Sequence, residues 1–68
     1  MKPTKLALAI ARSTVLGHGH TLADVRDLVE IHTSAANKHR GRGDEHIAKI
    51  EEDLSSAYRY LATEMETQ

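Results

Sequence analysis

The first helix-sized stretch of this chain has no polar side to turn toward water. On a helical wheel of about 100° per residue, Leu6 and Ile10 point one way, Leu8 and Val15 nearly the opposite way, and Leu16 a third. A helix that is apolar all round must be covered all round. Only 68 residues are present to do the covering. The expectation is therefore that one copy cannot finish its own fold, and that the missing cover is a second copy across a two-fold axis.

The rest of the sequence reads as two further helices. Pro3 suits a first helical turn, where its missing N–H is not needed, and Gly17 offers a left-handed stop; together they predict a helix over 3–16. Thr21 with Asp24 three residues on is a capping pair. Lys38, His39 and Arg40 complement the dipole of a last turn closed by Gly41, so a second helix is expected over 22–40. Asp44 is a cap candidate for a third, over 45–64, and the short link Gly41-Arg42-Gly43 turns it back antiparallel on the second. The expected fold is all-α: an antiparallel helical hairpin plus an apolar N-terminal helix, one domain over 1–68, assembled as a homodimeric bundle.

The two hairpin segments differ in their apolar faces. Leu22, Val25, Leu28, Val29, Ile31, His32, Ala35 and Ala36 cover about 180° of the second helix, an arc wide enough for two neighbours. In the third, Ile47, Ile50, Leu54, Ala57, Leu61 and Met65, with Tyr58 beside them, fall within about 100° and read as a seam for one neighbour. The expected dimer interface is Leu6, Leu8, Ile10, Val15, Leu28 and Ile31. His32, set among Ile, Leu and Val, would make its seam sensitive to acid.

Composition removes several function classes. The chain has no Cys, hence no disulfide and no cysteine-based zinc site, and no Phe or Trp. Nine Lys and Arg against ten Asp and Glu give a formal net charge of −1, far from the footprint of a nucleic-acid binder. The run Leu6 to Ala11 is shorter than a signal-peptide core and far shorter than a membrane span, so a cytoplasmic location is expected. No thiol nucleophile, glycine-rich phosphate loop or His-Glu-x-x-His pattern occurs, and Ser55, Ser56 and Thr63 have no activating motif around them. The chain is expected not to be an enzyme and to need no cofactor.

Three features invite function. Five histidines raise a metal-binding module as one alternative, with His18 and His20 the weak candidates, short of the about four ligands a closed zinc site wants. Lys38, His39, Arg40 and Arg42 form a basic tip able to touch phosphate or an acidic protein surface. A nucleic-acid-binding or transcription-regulator accessory module is the other alternative. Acidic Asp44, Glu45, Glu51, Glu52 and Asp53 follow at once, however, and no aromatic is interleaved for stacking. The third feature is the exposed side of the last helix, with Glu52, Arg59 and Tyr60.

The passage from Leu16-Gly17 through Thr21-Leu22-Ala23-Asp24-Val25-Arg26-Asp27-Leu28-Val29-Glu30-Ile31 resembles the helix-to-helix passage of mercury-resistance-type (MerR) transcription regulators. In that family a long helix follows and forms an antiparallel dimer coil. Here His18-Gly19 adds to the usual spacing, the metal-binding cysteines are missing and no winged helix-turn-helix precedes. The resemblance thus implies a dimerisation piece without a DNA reader. The function expected is that of a small non-enzymatic helical protein that dimerises and binds a larger protein to modulate or inhibit it. By analogy of architecture this is the profile of small regulators carried by phages and other mobile elements. Lys38, Arg40, Arg42, Glu52, Arg59 and Tyr60 are the expected partner contacts.

Overall fold

The computed structural model describes residues 2–68, and they form three helices: α1 Lys5–His18, α2 Leu22–Gly41 and α3 Glu45–Glu66. The all-α reading holds; the ends shift by a residue or two. α1 begins after Thr4, whose Oγ1 accepts from the Ala7 N–H at 3.1 Å, so Pro3 lies before the cap rather than inside the first turn. Gly17 stays helical. The left-handed residue is Gly19, at φ 63°, whose N–H donates to the Val15 carbonyl.

α2 opens on the capping box its sequence announced. The Asp24 N–H donates to Thr21 Oγ1 at 3.2 Å, and the Thr21 N–H donates to Asp24 Oδ2 at 3.0 Å. These bonds from Thr21 hold the Asp24 carboxyl below its ordinary value, with the neighbouring His20 adding in the same direction. A lowered folded-state value contributes stability above the ordinary carboxyl range, and that contribution is lost as the pH falls through the lowered value. Thr21→Ala should cost about 1 kcal/mol in a urea melt. Asp24→Asn should shrink the acid-induced loss of helix signal; an acid limb identical to wild type would contradict the cap's role.

Two facing seams then define the packing. Among the buried and half-buried positions of α2, Leu22, Val25, Val29, His32, Ala36 and His39 form one stripe; on α3, Ala48, Glu51, Ser55, Tyr58, Ala62 and Met65 form another. Both series step three, four, three, four, three, the spacing of helices that cross at a shallow angle. The helices run antiparallel, as the pairs His32–Glu51 and Thr33–Ser55 and the bond from Ser55 Oγ to the Val29 carbonyl require. This differs from the expected seam. Ile47 and Ile50 belong to the expected seam, yet they are 41% and 49% exposed, and the stripe facing α2 lies one residue further on.

α1 packs along α3, running parallel to it. Asp53 accepts from the Thr4 N–H at 2.8 Å and the Thr4 hydroxyl at 2.6 Å, while Arg12 forms a two-pronged pair with Glu64 at 2.9 and 3.3 Å. Ala7 and Ala11 are buried against a cluster of Val25, Ala57, Tyr58, Leu61 and Ala62. Leu8 and Val15, expected to face a second copy, are half-buried and packed against that same cluster. The unequal lengths matter most. α1 has 14 residues and α3 has 22, about 21 Å against about 33 Å at 1.5 Å per residue. Because α1 starts level with Asp53, it covers only the C-terminal part of α3. The other end of the molecule is a bare two-helix limb.

Candidate interaction face

The open side of that limb carries three exposed large apolar side chains, Ile31, Ile47 and Ile50. Arg26–Glu66 and Thr33–Ser55 mark one flank of the α2–α3 hairpin. On α2, Leu28, Ile31 and Ala35 lie on the opposite flank by helical phase. On α3, Ile50 continues the stripe of Ala57 and Leu61 that α1 covers, with Ile47 beside it. The two sets therefore share one side of the hairpin, the side on which α1 sits. α1 adds Ile10 and Leu6, which lie away from the Arg12–Glu64 edge. Exposures are 58% for Ile31, 46% for Ile10 and 71% for Leu6. Single exposed leucines need no explanation, but several on one side of a small protein make that side the candidate contact surface. Leu16, 83% exposed, stands apart, in a hollow with Arg12, Glu64 and Gln68 at the other end of the bundle.

The basic tip is not uniformly open. Arg40 is tied down twice, its Nε 3.3 Å from Glu45 and its guanidinium paired with Glu52. This also half-buries Glu52, one of the expected partner contacts. Lys38 and Arg42 make no ion pair among the described residues. They border a shallow trough along α2 that also takes in Asp27, Glu30, Ile31, Ser34, Ala35 and His39. Arg59 and Tyr60 are exposed on α3 but diverge by one residue step of about 100°. Arg59 borders a hollow with Thr33, Asn37 and Ser56 on the flank away from α1.

The histidines separate by role. The rings of His18 and His20 stack, centroids 5.3 Å apart, and His20 Nδ1 is 3.7 Å from Asp24 Oδ2. Among the described residues no three His, Asp or Glu side chains converge in a way that would hold an ion. His32 is not set among aliphatic side chains. Its Nδ1 lies 2.6 Å from Glu51 Oε2, and its ring stacks on Tyr58 at 5.4 Å and 9°. His39 Nδ1 is enclosed with no hydrogen-bond partner, the Asp44 carboxylate standing off at 3.8 Å. Asp44 occupies the cap position of α3 but makes no side-chain cap bond.

Sequence reasoning missed Glu51 and Ser55 as seam residues, because each breaks an apolar pattern and only the pairing register reveals its partner across the hairpin. Among the described residues no helix is long and apolar enough to cross a membrane. No family model, curated protein or solved structure matches the chain, so its own residues carry the functional reading.

Proposed function

We propose that this chain is a non-enzymatic helical interaction module that pairs with itself and, as a dimer, binds a larger protein and alters its activity. One observation carries the reading. The limb beyond α1 holds Ile31, Ile47 and Ile50 at 58%, 41% and 49% exposure on the same side as Leu6 and Ile10. A core built largely of alanine, in which Val25 is the only large side chain fully enclosed among the described residues, gives the single chain little surplus stability to leave such surface in water. Covering it is the favourable change available. The opposite side of α3, with Tyr60 and Arg59, stays open in such a dimer and has the residue types that anchor contacts with other proteins.

Sedimentation equilibrium tests the first half. Wild type is expected to have twice the chain mass at micromolar concentration, and Ile31→Glu with Ile50→Glu to run as a folded single chain. A wild type that stays monomeric into the millimolar range contradicts the reading. The second half is tested with Tyr60→Ala and Arg59→Ala, which should keep the dimer mass and lose whatever partner wild type captures from its host extract.

A further inference from the structure

The outward row of α2 reads Asp24, Asp27, Ile31, Ala35 and Lys38, and continues into Arg42, the cap residue just past its end. Its spacing of three, four, four, three and four keeps all six on one stripe of the helix. Acid occupies one end, apolar side chains the middle and base the other end. Inverting the row about a point between Ile31 and Ala35 exchanges Asp24 with Arg42, Asp27 with Lys38 and Ile31 with Ala35. The match holds to within one residue rise, about 1.5 Å. A row that is its own complement when reversed is what an isologous two-fold contact requires.

We infer that α2 pairs antiparallel with α2 of a second copy, and that the Asp27–Lys38 and Asp24–Arg42 pairs set its alignment. This rests on the self-association proposed above and names the residues that direct it. Ile31 meets the partner's Ala35, and each charged end meets its opposite. Ile31 is 58% exposed, and Asp27, Lys38 and Arg42 have no ion pair within their own chain among the described residues. Asp24 keeps its cap bond from Thr21, has His20 Nδ1 at 3.7 Å, and its side chain is 51% exposed. A parallel pairing would set Asp27 against Asp27 and Lys38 against Lys38, which repel. Glu30 borders the same trough at the edge of the row, about 60° from Asp27, and adds to the acid at that end, while the half-buried His39 is turned toward α3. Ile47 and Ile50 adjoin the row on α3 and extend the apolar contact, while Lys38 and Arg42 form its polar rim.

Charge reversal provides the test, with dimer dissociation constants read by sedimentation at low salt. Asp27→Lys alone and Lys38→Asp alone should each weaken self-association roughly tenfold, since each turns two symmetric attractions into repulsions. Asp27→Lys combined with Lys38→Asp in one chain should recover to within about threefold of wild type. An equimolar mixture of the two single variants should form a mixed dimer tighter than either variant forms alone. All the altered side chains are exposed, and an unchanged helix signal confirms that each variant folds. A wild-type dimer indifferent to both single reversals overturns the α2 pairing while leaving self-association standing. A double variant as weak as the singles overturns it too. A monomeric wild type removes both.

Discussion

Tyr58→Ala should leave the chain largely unfolded at room temperature. Tyr58 is 3% exposed and is the only aromatic side chain in a core otherwise made of Ala7, Ala11, Val25, Ala57, Leu61 and Ala62. Its ring also stacks on His32, which joins α2 to α3 at mid-length. Truncating a buried aromatic to alanine costs about 3–5 kcal/mol, because the transfer energy is lost and a cavity remains. A single core of this size rarely supplies more than about 3–5 kcal/mol in total. The two quantities meet, so the variant should lose most of its far-UV helix signal without denaturant, or melt without a folded baseline. Tyr58→Phe keeps the ring and should melt within a few degrees of wild type. Should Tyr58→Ala melt cooperatively near the wild-type temperature, the core described here would not be what holds the fold. Strong rescue of Tyr58→Ala at high protein concentration would show instead that dimerisation supplies much of the stability.

How far the fold could be read from the sequence follows from where its information is local. Thr21 and Asp24 announced the α2 cap because both partners of each bond lie within one turn, and Gly41 to Gly43 announced the reversal into α3 for the same reason. The stop of α1 was placed two residues early. Gly17 and Gly19 are equally good terminators by type, and only the bond from the Gly19 N–H to Val15 distinguishes them. The α3 seam was misplaced by one residue for a non-local cause. Periodicity counts apolar side chains, whereas the stripe facing α2 contains Glu51 and Ser55, satisfied by His32 and by the Val29 carbonyl. The apolar stripe that periodicity did find is real but divided. Leu54, Ala57 and Leu61 are covered by α1, while Ile47 and Ile50 extend past its start. The expectation that α1 needs cover beyond the hairpin moves accordingly. Leu8 and Val15 find theirs within the chain, and the unmet surface lies at Leu6, Ile10, Ile31, Ile47 and Ile50. The candidate face was thus half legible: Leu6, Ile10 and Ile31 by their type, and Ile47 and Ile50 only once the length of α1 was set against that of α3, while Leu28, expected at the interface, packs against the chain's own core.

The His32–Glu51 pair should behave as a coupled unit whose halves cannot be removed singly. Each side chain is 21% exposed, and Nδ1 and Oε2 are 2.6 Å apart inside the α2–α3 seam. His32→Leu leaves the Glu51 carboxylate facing an apolar neighbour, and Glu51→Leu leaves the imidazole without its acceptor. Each should lower stability by about 1–3 kcal/mol, the cost of stranding a half-buried polar group. Replacing both by Leu removes the stranded groups together and fills the seam with apolar atoms. The double variant should therefore match or exceed wild type in urea midpoint, as happens when enclosed ion pairs give way to packed side chains. The resulting coupling, read from a double-mutant cycle, should be at least about 1 kcal/mol; additive losses would mean that the two groups stabilise the hairpin independently and that water already satisfies both. What the pair contributes to the native protein is alignment. A slip of α2 along α3 by one helical turn would strand both groups at once, whereas an apolar contact such as Leu against Leu tolerates such a slip at less cost. The double Leu variant should thus be stable but less uniquely packed, which broadened amide resonances along α2 would reveal.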